Sequence, residues 1–211
     1  MASATVAIIG AGVTGLSTAY HLALRKFGRI VVLDKGPVGD GSSSRAAAIV
    51  TGLLWSATGV RARKLALQRY RELSQELPGY KFADCGCLNW FDQESWPARQ
   101  ELLKLYDREE APYEVLNGEQ MKQRWPDLQP PEGFIGLHDP LGGYSEPHEF
   151  VPALANQCRR LGVEILEGEA VVKILKSSDR IGGVVTSKRR IDADAVVCTS
   201  YAWTNLVLDG I

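Results

Sequence analysis

The sequence of 211 residues holds only four cysteines and three histidines, and charge of neither sign dominates. Cysteines scattered from Cys85 to Cys198 form no disulfide scaffold and fit a reducing compartment. With 24 Lys+Arg against 25 Asp+Glu the net charge is −1, which excludes a global electrostatic attraction to nucleic acid or to anionic membrane. Apolar runs such as Ala46-Ala47-Ala48-Ile49-Val50 fall well short of a membrane span. The opening MASATVAIIG lacks a basic stretch followed by a cleavable apolar segment, so no secretory leader is expected. His21, His138 and His148 stand in no Ser/His/Asp order, and no paired-carboxylate spacing rises above chance. What is present is ordinary globular composition, 45% apolar and 23% charged. The length suits one domain, or one domain with a modest insertion, and the expected setting is cytoplasmic.

The information is concentrated at the start. Val6-Ala7-Ile8-Ile9 is a continuous apolar run, the pattern of a strand covered on both faces of a parallel sheet. It leads into Gly10-Ala11-Gly12-Val13-Thr14-Gly15, a complete G-x-G-x-x-G. A helix follows, with Leu16, Ala19, Tyr20, Ala23 and Leu24 on neighbouring faces and Gly28 as a stop. A second strand, Ile30-Val31-Val32-Leu33, ends in Asp34. In such a unit Gly10 permits the tight turn, Gly12 lets backbone approach a pyrophosphate, and Gly15 allows close helix–strand packing. The helix N-terminus offers N–H groups to phosphates, and Asp34 sits at the offset of about 20 residues expected for a ribose-binding acid. A carboxylate there disfavours a 2′-phosphate, so NADP is the least favoured dinucleotide. Between FAD and NAD the unit itself is silent.

The following segment bears on that choice. An NAD domain would normally continue with a helix and a third parallel strand. Here a loop, Lys35-Gly36-Pro37-Val38-Gly39-Asp40, precedes Gly41-Ser42-Ser43-Ser44-Arg45-Ala46-Ala47-Ala48. Its serines and amides suit anion binding at the start of a short Ala-rich helix, and Arg45 adds fixed positive charge with planar donors. The plainer reading is an N-capped helix with a surface arginine.

Taken together, VAIIGAGVTGLSTAYHLA, VVLDK and GSSSRAAAIV resemble the N-terminus of the FAD-dependent amine and amino-acid oxidoreductases. Gly143-Tyr144-Ser145-Glu146-Pro147 stands at the family's G-x-x-x-P entry into a helix. Leu161 to Ile165, Val171 with Ile174, Ile181 to Thr186 and Ala193 to Val197 extend the likeness. The resemblance implies an α/β fold: a Rossmann-like FAD-binding domain with a parallel sheet and a β-hairpin or meander, interrupted by part of an α+β substrate domain. Residues 1–84 and 146–211 would form the FAD-binding domain and 85–145 the partial substrate domain. It implies that the cofactor lies along Gly10, Gly12, Val13, Thr14 and Gly15, with Asp34 on ribose and Lys35 beside it. Ser43, Ser44, Arg45 and Ala47 would approach the pyrophosphate and ring system, and backbone near Val171 would hold adenine. Arg45 occupies the place of a histidine that some relatives join covalently to flavin, so attachment by that route is excluded. No metal ligands and no catalytic side chain are assigned.

Elsewhere the patterns are local. Residues 59–77 have the spacing of an amphipathic helix, with Arg61, Arg63, Lys64, Arg69 and Arg71 as a solvated face. Residues 85–91 read as a strand, in which Cys85 and Cys87 share a face and are expected to be buried rather than to bind metal. Residues 94–110 and 118–124 read as helices, and 133–139 as a strand returning toward the first domain. Pro147 suits the first position of a helix reaching about Leu161. Val163 to Leu166 is expected as a third parallel strand, 169–176 with 180–187 as a hairpin turning at Ser177-Ser178-Asp179, and Ala195 to Cys198 as a further buried strand.

Two departures from the family pattern stand out. Thr199-Ser200-Tyr201-Ala202-Trp203 places Tyr201 where relatives carry a glycine close to the cofactor, and the sequence stops at Gly210-Ile211, where relatives continue with the rest of the substrate domain. The leading expectation is an enzyme oxidising the CH–NH bond of an amino acid or secondary amine. A rival is a non-catalytic flavin- or nucleotide-binding fragment, or one part of a split enzyme that needs a partner chain or a second copy of itself. A self-contained NAD-dependent dehydrogenase is third.

Overall fold

Four apolar residues in succession need cover on both faces, and in the computed structural model they receive it. The structure describes residues 4–177 and 180–209. Strand β1 (Thr5–Ile9) runs into helix α1 (Val13–Leu24) and strand β2 (Arg29–Leu33). A second compact unit, residues 47–146, then interrupts the first, which comprises residues 1–46 and 147–211. Its elements are β3 (Ile49–Val50), α2 (Ala57–Glu76), β4 (Cys87–Phe91), α3 (Trp96–Gln100), α4 (Leu103–Arg108), β5 (Glu114–Leu116), α5 (Gly118–Arg124), β6 (Ile135–Asp139) and β7 (Gly143–Tyr144). The chain returns through α6 (Pro147–Arg160), β8 (Glu164–Leu166), β9 (Val171–Ser177), β10 (Arg180–Thr186), β11 (Arg190–Asp192), β12 (Ala195–Cys198), the 3₁₀ turn Tyr201–Trp203 and α7 (Thr204–Leu208).

In the first unit four parallel strands lie in the order β12-β1-β2-β8. Ile8 stands between Val32 of β2 and Val197 of β12. Successive side chains point to opposite faces of a strand, so one sheet face presents Ala7, Ile9, Val31 and Leu33. These pack against Ile174, Val184, Ile191 and Ala193 of the antiparallel meander β11-β10-β9 and its flank. The helices α1 and α6 supply the other layer, and Cys158 of α6 donates its thiol hydrogen to the Leu16 carbonyl of α1 at 3.4 Å. Beyond its four buried strand residues, β2 holds register with β8 through paired Arg29 and Glu164, whose side chains meet at 2.8 Å. The expected third parallel strand and the hairpin are both present, and the hairpin's turn falls outside the described residues. Ala195–Cys198 is half-buried rather than buried, because it is an edge strand of this sheet.

The second unit holds an antiparallel sheet, β4-β6-β5, and a two-stranded pair, β3-β7, together with the 20-residue helix α2 and the shorter α3, α4 and α5. Leu53, Val60, Trp96, Tyr106 and Leu137 form its core. Val60 lies on α2, so the residues 47–84 that the sequence reading gives to the first domain fall in this second unit. Strand β6 pairs with β4 and β5 inside the same unit. The helix expected over 94–110 is broken between α3 and α4. Asn117 and Gln120 close a reciprocal capping box on α5. Arg99 is buried with its guanidinium over Trp55, Phe91 and Tyr106, and it donates to the Leu53 carbonyl at 2.7 Å.

Among the described residues no helix is long and apolar enough to cross a membrane. All four cysteines are free, but their settings differ. Gly86, with φ of 75°, kinks the chain before β4 and leaves Cys85 exposed, which corrects its expected burial. Burial pushes the Cys158 thiol up to about 12. Alkylation of the native chain at neutral pH is therefore expected to mark Cys85 first and to leave Cys158 unmodified until the protein unfolds, as read by peptide mass mapping.

Candidate functional site

The glycine turn is held by contacts that leave no room for side chains. Gly10 has φ of 111°, and a Cβ there would lie 2.8 Å from Thr199 Oγ1 and 2.9 Å from the Thr199 carbonyl oxygen. A Cβ at Gly15 would overlap the Gly10 carbonyl oxygen. This is the close helix–strand packing that the sequence implies. Thr199, just after β12, donates its hydroxyl to the Ile9 carbonyl at 2.8 Å, and its N–H reaches the same oxygen at 2.8 Å.

Helix α1 begins at Gly12, which has no side chain to cap it. The first N–H groups of a helix have no intrahelical acceptor and carry partial positive charge. Ser43 Oγ, from the loop after β2, accepts from Val13 N–H at 3.0 Å. The other support is Asp34 at the end of β2. One of its carboxylate oxygens accepts from Ala11 N–H at 2.7 Å and the other from Gly36 N–H at 3.0 Å. A carboxylate offers about four lone pairs, so each oxygen keeps one for a further donor.

These groups converge on a cavity of about 820 Å³ that lies wholly within the first unit. Small-molecule and cofactor sites commonly span about 300–1,000 Å³. Its wall includes Gly10, Gly12, Val13, Thr14, Asp34, Lys35, Ser43, Arg45 and Val171 from the residues expected on sequence. Gly15, Ser44 and Ala47 do not line it. Gly15 lies under the turn, Ser44 donates to the Gly41 carbonyl at 3.1 Å, and Ala47 belongs to the second unit. The Ala-rich helix expected near 41–48 is absent: residues 40–46 form turns and a bend, tied by Ser44 N–H to Gly39 O and Arg45 N–H to Ser42 O. Arg45 donates through Nη1 to the carbonyls of Asp40 at 2.6 Å and Gly41 at 2.8 Å, which leaves Nε and Nη2 for other acceptors.

Several wall residues escape the motif reading, among them Glu169, Val172, Thr199, Trp203 and Leu206. The Lys35 ammonium stands 3.6 Å from the centroid of the Trp203 ring, a cation–π contact that joins the end of β2 to the last segment. Glu169 is paired with Arg189, whose guanidinium holds its carboxyl below the usual range. Tyr201 also lines the cavity, with φ of 47°. A bulky residue in this left-handed region is strained, a physical reason for the glycine that the resemblance leads one to expect at this position.

The profile of the FAD dependent oxidoreductase family matches residues 5–211, and the chain belongs to that family. It is 31% identical over 203 residues to 4-methylaminobutanoate oxidase (formaldehyde-forming) of Paenarthrobacter nicotinovorans, covering 93% of this chain and 24% of that protein. It is 30% identical to the peroxisomal sarcosine oxidase of Homo sapiens, covering 95% of this chain and 51% of that one. Among solved structures, L-proline dehydrogenase from P. horikoshii superposes with a TM-score of 0.90 at 26% identity, over 98% of this chain and 55% of its own. Glycine oxidase from Geobacillus kaustophilus shares the fold with a TM-score of 0.83 at 23% identity, over 97% and 57% respectively. The chain therefore spans between about a quarter and somewhat over half of these relatives.

The packing under the turn yields a graded expectation. Gly15→Ala must displace backbone and should cost roughly 1–3 kcal/mol of stability. At Gly12 a Cβ would meet only the Ser43 hydroxyl, at 2.9 Å, so Gly12→Ala should cost less. Urea unfolding of the two variants checks the order.

Proposed function

We propose that the chain binds FAD non-covalently in the cavity of its first unit and forms the cofactor-binding portion of an oxidoreductase for amino acids or secondary amines. The observation that carries this reading is the meeting, in one cavity, of the Asp34 carboxylate and a helix N-terminus whose N-cap, Gly12, has no side chain. Phosphate oxygens suit the first, and ribose hydroxyls suit the lone pairs that Ala11 and Gly36 leave on the second. Ile9, Leu33, Val171 and Val172 give apolar walls for flat rings. Gly12, Val13 and Ser43 would lie along the pyrophosphate, and Arg45 Nε and Nη2 are donors for the same anion. An arginine side chain offers no route to the covalent link that a histidine can make.

Bound there, FAD would accept a hydride equivalent from the carbon next to the amine, leaving an imine that water hydrolyses. The chain's own part is to bind and orient: Asp34 fixes the turn, and Lys35 and Trp203 brace one wall. A cytoplasmic setting belongs to this reading, supported by four free cysteines. A second reading, that this chain works with a partner chain or a second copy, is favoured by one observation: Tyr201, Leu206 and Val172 are 78%, 75% and 65% exposed along the cavity wall. Apolar surface of this kind is commonly covered by another surface.

The purified chain should show a flavin absorbance spectrum that survives gel filtration after addition of FAD, and a colourless protein that ignores FAD would overturn the reading. Asp34→Ala should weaken FAD binding by roughly tenfold or more, since charge-assisted hydrogen bonds contribute about 1.5–3 kcal/mol each. Tyr201→Gly, which relieves the positive φ, should hold or tighten binding in the same titration.

A further inference from the structure

Arginines of the second unit differ in what neutralises them. Arg61, Arg69, Arg71, Arg108 and Arg124 lie partly in solvent, and each pairs with a carboxylate of the same unit. Arg99 is 6% exposed and, among the described residues, pairs with none. Its burial follows from α3: Trp96 and Arg99 are three positions apart on one face of the helix, and that face enters the core. The Arg99 guanidinium therefore sits among rings, 5.0 Å from the centroid of Trp55, 5.5 Å from that of Phe91 and 5.8 Å from that of Tyr106. Its Nη2 donates to the Leu53 carbonyl at 2.7 Å, whereas Nε and Nη1 are buried with no acceptor among the described residues. The Tyr106 hydroxyl, in the same core, is likewise buried without a partner. Burial pushes that hydroxyl up, against the opposing pull of the Arg99 charge, so it keeps its hydrogen at neutral pH and can donate.

Three donor groups beside one positive charge call for an acceptor that is itself negative. Ring faces attract a guanidinium, but they carry no net charge to balance it. Water would satisfy the donors and leave the charge uncompensated, and an uncompensated buried charge is strongly destabilising. A single positive charge is balanced by a monovalent anion, and the aromatic surroundings disfavour one that is bulky or strongly hydrated. The wall able to yield is Trp55. It is 72% exposed, in the loop between β3 and α2, so its displacement uncovers little buried surface.

We propose that Arg99 and Tyr106 form a buried site for a monovalent anion of halide size, which enters past Trp55. The inference concerns the second unit alone and does not rest on FAD binding.

The test follows thermal unfolding of the full chain as sodium gluconate is replaced by sodium chloride at constant ionic strength, which keeps general screening fixed. The expected result is a saturable rise in Tm with chloride. Crystals grown with sodium bromide should show an anomalous peak within hydrogen-bond distance of Arg99 Nε or Nη1. Arg99→Met keeps an apolar chain in the core and removes the charge, and it should abolish the chloride response. Tyr106→Phe keeps the ring and removes only the hydroxyl, so it remains informative where Arg99→Met fails to fold. It should weaken chloride binding by roughly tenfold, because hydrogen bonds to charged groups are the stronger class. A Tm indifferent to chloride, a response kept in full by either variant, or water alone beside Arg99 in the bromide crystals would each overturn the proposal. A bromide peak with no response in solution would mean binding at crystal concentration only, and would overturn it equally.

Discussion

Two backbone amides share the Asp34 carboxylate, and the cavity of the first unit is organised around that sharing. Ala11 N–H belongs to the glycine turn and Gly36 N–H to the loop after β2, so one side chain fixes two loops from opposite sides. Neither loop could hold its place by apolar burial, since both consist largely of glycine and small residues. The carboxylate gives each an anchor that is directional and charge-assisted. With the turn fixed, α1 starts where its N–H groups face the cavity, and Ser43 closes the arrangement by accepting from Val13.

That constraint also explains what sequence reveals and what it hides. The strand, turn, helix, strand and acid follow one another within 34 residues, and each contact among them is local enough to be read as spacing. Parallel strands β8 and β12 are legible as apolar runs, because a strand between layers needs them. The segment from Gly41 to Ala48 reads as a helix on composition, yet Arg45 Nη1 and the Ser44 hydroxyl are spent on the loop's own carbonyls, which stabilises turns instead. Alanine propensity is a weak prior against such side-chain bonds.

Other features depend on partners far away in sequence. The place of α2 follows from Val60 meeting Leu137 and Trp96, which no local periodicity encodes. The exposure of Cys85 follows from a single backbone angle at Gly86, which shifts the start of β4 by two residues relative to the apparent run. Trp203, Leu206 and Thr199 enter the cavity wall through the last segment, and their only sequence signal is the departure at Tyr201 from the family pattern.

Thr199 closes the floor beneath the glycine turn through two bonds to Ile9, a residue 190 positions away. On a ribosome the turn, α1 and β2 emerge early, whereas Thr199 emerges after the whole second unit has been made. The first unit thus spends most of its synthesis as a sheet lacking β12, with Ile8 paired on one side only. Non-local pairings of this kind slow folding, because loop closure precedes the contacts that repay it. The glycine turn and the floor that supports it are therefore separated in time as widely as they are in sequence.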